Sequence, residues 1–452
     1  MARKKRTSSH TPQQLVHPHA AGIDCGATAH FVAVPNDRDP QPVRSFGTCT
    51  ADLQALADWL EQCGIETVAM ESTGVYWIPL FELLEARGIT AYLVDPGKIK
   101  HAPGRKTDVV DCQWIQQLHS CGLLSASFRP AEDLCILRSY MRQRDMLVRY
   151  AAQHIQHMQK ALTEMNVQLH HGVDDLLSMT GTRIITAILA GERDPATLAR
   201  FRDERCKQDE ATIARALQGN WRADHLFALQ QAYDLYQFYH GQLARVDARV
   251  EACLRTFADK SEGRPRPKRP GARQRKPTRN EPTFEVSSLL YQMTGVDLTT
   301  IDGIGPHLAL SLISEIGIDM SPWKSDKHFA SWLCLAPGNH KSGGKQRRSK
   351  SGTRPSANRA AGDFRLAAFA VSRSDTALGA FYRRLRARVG APKAITATAH
   401  KIAKIVYNML KYGKAYVDRG AQYYEEQYRQ RVVKSLHRRA EQLGFTLEPL
   451  AR

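Results

Sequence analysis

Ala21-Gly22-Ile23-Asp24-Cys25-Gly26 and, further along, Val68-Ala69-Met70-Glu71-Ser72-Thr73-Gly74 decide the fold of the first part of this chain. Each is a short apolar run that ends on a carboxylate and breaks at glycine, the pattern of a strand stopping at a turn. A third acidic motif, Lys106-Thr107-Asp108-Val109-Val110-Asp111, places two carboxylates three residues apart behind a threonine cap. Asp108 and Asp111 therefore share one face of a predicted helix. Around these motifs the spacing predicts strands at 22–24, 31–35, 43–48, 66–71 and 90–94, and helices at 53–60, 75–86 and from 108 to about 121. That β-β-β-α-β-α-β-α order describes an α/β layer with a mixed sheet.

Single acids at strand ends are usually solvated. Four of them on two strands and one helix ask for another explanation, because carboxylates gathered at one point repel unless a cation neutralises them. Oxygen ligands suit Mg²⁺ rather than zinc. Asp24, Glu71, Asp108 and Asp111 are thus candidate metal ligands.

Composition says what such a site would act on. The 452 residues carry 64 Lys or Arg against 45 Asp or Glu, a formal charge of +19. That excess favours a polyanion, and together with the acidic motifs it points to metal-assisted phosphodiester chemistry. No apolar run approaches the length of a membrane span, and Met1-Ala2-Arg3-Lys4-Lys5-Arg6 lacks the apolar core of a signal peptide, so the expected setting is cytoplasmic. Nine cysteines without a Cys-x-x-Cys pair read as reduced thiols rather than disulfides or a zinc site.

The remaining chain divides by pattern. Residues 1–20 read as a basic flexible arm, 21–128 as the α/β domain, and 129–259 as all-helical. Within the last, Leu134, Leu137, Met141, Val148, Ala151, Ile155, Met158, Leu162 and Met165 follow coiled-coil spacing, interrupted only at Arg144. A second helix, about 224–257, carries Tyr239, Leu243, Val246, Val250, Cys253 and Phe257 on one stripe. A hairpin folded on itself and a dimerisation arm fit this pattern equally. Residues 260–279 hold four prolines, nine Lys or Arg and one Glu, so 260–283 is expected to be a disordered basic linker. A mainly helical region, 284–420, and a charged terminal helix, 421–452, complete the chain. Residues 225–283 are a candidate insertion.

Two further motifs lie in the third region. Pro337-Gly338-Asn339-His340-Lys341-Ser342-Gly343-Gly344-Lys345-Gln346-Arg347-Arg348 sets one hydroxyl against a Gly-Gly turn in a cationic loop. The glycines let backbone amides approach a phosphate. The residues alone leave Ser342 either a phosphate contact or a nucleophile. Ile301-Asp302-Gly303-Ile304-Gly305-Pro306-His307 precedes an apolar helix and resembles a helix-hairpin-helix turn, whose amides at a helix start suit phosphate. The expected nucleic-acid contacts are Gly303, Gly305, Lys341, Gly343, Gly344, Lys345, Arg347 and Arg348, with Arg105 and Lys106 ahead of Asp108.

With these motifs quoted, the chain resembles the DEDD transposases of bacterial insertion sequences, the group related to the Piv DNA invertase. Gly-Ile-Asp at Asp24, Met-Glu-Ser-Thr-Gly-Val-Tyr-Trp at Glu71, Val-Asp-Pro at Asp95 and Lys-Thr-Asp-x-x-Asp carry the first half of the likeness. The Gly-Ile-Gly-Pro turn and the serine loop carry the second, and the whole covers about 20–420. Lys341 stands where many members have a second serine. The resemblance implies a RuvC-like domain of RNase H fold holding Mg²⁺ at Asp24, Glu71, Asp108 and Asp111, and Ser342 as the nucleophile that forms a phosphoserine link to a DNA strand. It also implies composite active sites in a dimer within a tetramer, and guidance by a structured non-coding bridge RNA pairing with donor and target DNA. A nuclease of the same fold using water, and a non-catalytic nucleic-acid binder, are the competing expectations.

Overall fold

The computed structural model describes residues 15–72, 74–99, 108–267, 278–338, 341–342, 345–346, 353 and 358–448. The chain forms two compact units, divided between Arg129 and Pro130.

The first unit is an α/β layer. Its elements are β1 (Ala20–Cys25), β2 (Ala29–Ala33), β3 (Val43–Gly47), α1 (Thr50–Gln62), β4 (Thr67–Glu71), α2 (Trp77–Ala86), β5 (Thr90–Val94), a single turn α3 (Pro96–Ile99) and α4 (Asp108–Ser120). The sheet order is β3-β2-β1-β4-β5, with β1–β2 and β2–β3 antiparallel and β1–β4 and β4–β5 parallel. The mixed sheet and the element order are those expected from the sequence. α3 is added where Pro96 was expected only to stop a strand.

Strand alternation sorts the two faces. Ala21, Ile23, Val68 and Met70 pack with Leu56 and Leu60 of α1 and Leu80 and Leu84 of α2. Each such leucine, wholly buried, contributes about 1.5–3 kcal/mol. Ala69 and Val94 point the other way, into a smaller cluster with Ile115 of α4.

The reading of 1–20 as a free arm needs correction at its end. The amides of Val16 and His17 donate to the Ser120 carbonyl at 2.8 and 3.0 Å. The His17 ring stacks on His119 with centroids 4.9 Å apart, and Ala20 already belongs to β1. His119 is fully buried. Thr67 Oγ1 donates to the Thr90 carbonyl at 3.0 Å, so at 3.0 Å from His119 Nε2 it accepts, which places the imidazole proton on Nε2. Burial, followed by the neighbouring His17, pushes the His119 pKa down to about 4 from 6.5. The unfolded chain therefore binds this proton more readily than the folded one. The stabilisation is fully present above about pH 6.5 and is lost as pH falls towards 4. Acidifying from neutrality to about pH 5 is expected to remove about 2 kcal/mol of stability through this group. His119→Gln should show a smaller loss in urea midpoint over the same interval, and an equal loss in both proteins would exclude the linkage.

The second unit is helical. α5 (Glu132–Glu164) and α10 (Ala223–Thr256) are its long members, each about 50 Å. They run antiparallel. Arg144 meets Asp247, the Tyr150 and Tyr239 rings lie 5.6 Å apart, and Glu164 meets His225 at 3.3 Å. The α5 seam therefore packs against α10 of its own chain, as the hairpin alternative expects. Two details differ from the expected stripes. Leu147, not Val148, is buried on α5, and Asp247 and Leu254 replace Val246 and Cys253 on α10. The cause is Arg144, which sits in the seam. Both Arg144 and Asp247 are only 2 % exposed, and Nε meets Oδ1 at 2.6 Å. α10 supplies half of this contact, so residues 225–256 are integral to the hairpin core and not a dispensable insertion.

Between the long helices, α6 (Leu169–Gly172), α7 (Met179–Leu189), α8 (Pro195–Ala199) and α9 (Glu210–Ala216) form a cap on the hairpin end. The cap leaves and returns at one place: the Gln168 amide donates to the Ala216 carbonyl at 2.8 Å, and Asn220 to Met165 at 2.9 Å. Its apolar residues share one cluster with Met158, Leu162, Leu229 and Tyr236 of the hairpin.

The described ends of the expected linker are also anchored. The Lys260 amide donates to the Gln292 carbonyl, Arg266 Nε to Asp297 Oδ2 at 2.7 Å, and Arg279 Nη2 to Asp175 Oδ2 at 2.7 Å. Local carboxylates thus neutralise basic residues that composition alone assigns to solvent. The remaining elements are α11 (Val286–Thr294), α12 (Pro306–Ile316), α13 (Asp326–Trp332), the two-residue strands β6 (Lys341–Ser342) and β7 (Lys345–Gln346), α14 (Arg359–Ala370), α15 (Ala377–Val389), α16 (Ala391–Tyr412) and α17 (Gly420–Gln442). Among the described residues no helix is long and apolar enough to cross a membrane.

Candidate active site

Asp24 and Glu71 stand at the ends of two neighbouring parallel strands. β1 and β4 are hydrogen-bonded neighbours in register through Ile23↔Met70, one step before Asp24 and Glu71. Alternation puts Asp24 on the face of Gly22, and Glu71 on the face of Ala69. That is the α4 face. The carboxyl ends of adjacent parallel strands are where open α/β sheets place ligands.

Gly22 explains how the helix comes so near. A Cβ at this position would overlap the backbone of Cys112 and Gln116, so α4 lies directly on β1 and only glycine fits beneath it. Gln116 Nε2 reaches back to the Ala20 carbonyl at 3.3 Å, and Val16 pairs with Ser120 at the far end of α4. α4 thus runs antiparallel to β1, and its first turn, with Asp108 and Asp111, stands over the end of β1 that bears Asp24.

Two buried thiols register the gathered charge. Cys25 is pushed up to about 12 by burial, then by Asp24 and Glu71. Cys112 is pushed up to about 12, chiefly by burial, with Asp24 and Asp111 adding to the rise. Cys25 thus feels carboxylates of β1 and β4, and Cys112 those of β1 and α4. The Asp108 backbone opens α4, and its side chain lies outside the described residues. Among the described residues no group of three or more His, Cys, Asp or Glu is close enough to hold a metal ion outright. The donor set nevertheless fits a hard divalent cation, because every candidate ligand is a carboxylate oxygen and the two thiols nearby are held protonated by burial.

Ser342 belongs to the second unit. Lys341–Ser342 and Lys345–Gln346 pair as a minimal antiparallel hairpin, with Ser342 in register with Lys345. The expected cationic loop is a hairpin in its described part, and the Gly-Gly pair between its two strands lies outside the described residues. Gly343, Gly344, Arg347 and Arg348, like Arg105 and Lys106, lie outside the described residues. The turn before α12 divides in role. Gly303 has φ +88°, and a Cβ there would overlap the Ala367 carbonyl of α14, so helix packing accounts for this glycine without a phosphate. Gly305 caps α12 with Pro306 following and no side chain over the first-turn amides, an arrangement that suits an anion.

One half-buried acid escaped the sequence reading. Asp363 lines a cavity of about 600 Å³ with residues of α5 and α12. Burial pushes its carboxyl up to about 7, against the donated hydrogen bond of Ser311 Oγ at 2.7 Å. An isolated Gly-Asp-Phe in a helix carries no signal of this.

Two family models match the chain. Residues 21–167 match that of the DEDD transposases of the IS110 type, and residues 297–383 match that of the transposase IS116/IS110/IS902 family. No curated protein matches it.

Proposed function

The chain belongs to the IS116/IS110/IS902 family of transposases, and from that premise we propose that it recombines DNA through a phosphoserine intermediate at a carboxylate-lined, Mg²⁺-dependent site. Transposition acts on DNA, so the substrate class and the cutting and rejoining of strands follow from the family. The finer mechanism rests on one observation: Asp24 and Glu71 end adjacent parallel strands on the same face, with the first turn of α4 above them. The order β3-β2-β1-β4-β5 supports an RNase H-like, RuvC-type reading of this unit.

Asp24, Glu71, Asp108 and Asp111 would hold the ion. When bound, it supplies a positive charge against the scissile phosphate and its developing negative oxygens. The chain's own residues do the rest. Ser342 Oγ attacks phosphorus and gives up its proton. The bond from phosphorus to the leaving deoxyribose oxygen breaks, and that oxygen takes a proton. The phosphodiester becomes a phosphoserine diester of equal bond count, so rejoining is the same exchange with an incoming deoxyribose hydroxyl. Lys345, in register with Ser342, and Arg347 and Arg348 beyond it are assigned to the charge on the non-bridging oxygens. Acids and serine lie on different units of the chain, which agrees with sites completed between subunits of a dimer or tetramer. Guidance by a structured RNA fits the +19 charge, since base pairing then reads sequence and the protein grips backbone.

The decisive measurement is the covalent adduct. The wild type, incubated with cognate DNA and Mg²⁺ and then denatured, is expected to give a protein–DNA band that protease removes, with the phosphate mapping to Ser342. Ser342→Ala should bind DNA as the wild type does, with neither adduct nor strand break. Cleavage by Ser342→Ala without an adduct would make water the nucleophile and the protein a nuclease.

A further inference from the structure

The second unit carries an open groove of about 730 Å³ whose lining includes residues on either side of the serine hairpin in sequence. It is lined by residues of α15 and α16, together with Pro337 and Thr353, which bracket the hairpin in sequence. Arg388, Lys393, Lys401 and Lys404 line it, and no carboxylate stands among its described lining residues. Phe381, Leu385 and Val389 of α15 give it an apolar surface among these cations. We propose that this groove holds a single strand of DNA, the one whose phosphate Ser342 attacks. The proposal rests on the serine reading above for which strand is held, and on the groove itself for what binds there.

Three observations carry it. The first is the pairing of cations with an apolar surface. A duplex offers a protein surface mostly phosphates, whereas an unpaired strand offers phosphates and open base faces together, which aromatic and aliphatic floors accept. The second is the setting of Lys401. Its ammonium sits 4.6 Å from the Phe381 ring centroid and 5.3 Å from that of Tyr424. Burial, and then Arg431, push its pKa down, a cost that an incoming phosphate relieves. Lys404 differs: Asp326 already pairs with it at 3.0 Å. The third is reach. Ser342 follows Pro337 by five residues, so an extended chain separates their Cα atoms by at most about 18 Å. A strand lying in the groove therefore passes within a few nucleotides of the serine.

Salt dependence of binding tests this, measured on a short single-stranded oligonucleotide without divalent metal in the Ser342→Ala background, so that no cleavage intervenes. Arg388→Gln/Lys393→Gln/Lys401→Gln is expected to lower the log–log salt slope by about 2, at roughly 0.7 for each phosphate of a single strand no longer neutralised. Arg388→Gln/Lys393→Gln, which alters only exposed side chains, should lower it by about 1.4 and guards against a folding defect from Lys401. A control removing the same charge from the exposed face of α10, Arg245→Gln/Arg249→Gln/Arg255→Gln, should leave the slope near that of the parent. An unchanged slope in the groove variants, or an equal fall in the control, overturns the proposal. A fall as large on blunt duplex assigns the groove to duplex backbone and overturns the single-strand reading. Because binding is read without chemistry, a missing adduct would sink the serine mechanism alone, and an unchanged slope the groove alone.

Discussion

Asp24→Asn is expected to lower DNA strand cleavage and adduct formation by at least about 100-fold, the scale of losing one preorganised charge at a reacting centre. Glu71→Gln should do the same. Neither change should unfold the protein. Both acids are half-buried at the ends of strands whose larger apolar residues, Ile23, Val68 and Met70, face the opposite side, and an amide keeps the side chain's shape. Removing one carboxylate also relieves the field that Cys25 registers from Asp24 and Glu71, so the melting temperature without metal should hold or rise. Mg²⁺ should raise the melting temperature of the wild type, and raise that of each variant less. Variants that cut DNA at close to the wild-type rate would remove these acids from the site.

Arg144→Met is expected to cost about 3–5 kcal/mol, among the largest single-site losses in this chain, because it leaves the Asp247 carboxylate buried without its cation. What then remains to that carboxylate is a hydrogen bond from the Thr283 backbone amide, long at 3.3 Å. The double variant Arg144→Met/Asp247→Leu should recover most of the loss, since apolar groups of similar volume replace the ion pair in a seam that is otherwise apolar. Urea unfolding followed by helical circular dichroism reads both. A single variant that loses less than about 1 kcal/mol would mean that water already reaches the pair. The expected rescue separates stability from the other use of such a pair, fixing the register of two long helices that apolar contacts alone would let slide.

The first unit was legible because its signals are local. Ala21 and Ile23 against Gly22 and Asp24, and Val68 and Met70 against Ala69 and Glu71, state by alternation which residues enter the core and which face α4. Thr107 and the acids after it mark where that helix begins. The second unit was less legible because its signals lie far apart in the chain. Arg144 reads as a break in an apolar seam until its partner is known, and that partner is 103 residues away. The same distance hid the true stripe of α10, in which an aspartate occupies a core position. Gly303 was assigned to phosphate by its motif, and only the nearby α14 backbone shows a packing reason for it. The groove near the serine hairpin in sequence has cations on two helices, and the basic run Arg383-Arg384-Leu385-Arg386-Ala387-Arg388 of α15 reads as a solvated face until the lysines of α16 are seen to line the same groove.

The cap formed by α6 to α9 begins and ends at neighbouring points on the hairpin, so a short linker from Met165 to Asn220 would bridge its excision at little cost in loop closure. Topology makes it look like a transferable cassette. Its core argues otherwise, because Ile184, Ile188 and Leu217 share one cluster with Met158, Leu162 and Leu229 of the long helices. Cutting it out would strip the end of the hairpin to bare apolar surface, which a second copy or an aggregate would then cover. Swapping caps between homologous chains should therefore succeed only when about the last four turns of α5, from Ala151, and the first four of α10, to Tyr236, travel with them, and the unit of exchange is set by shared burial rather than by where the chain crosses itself.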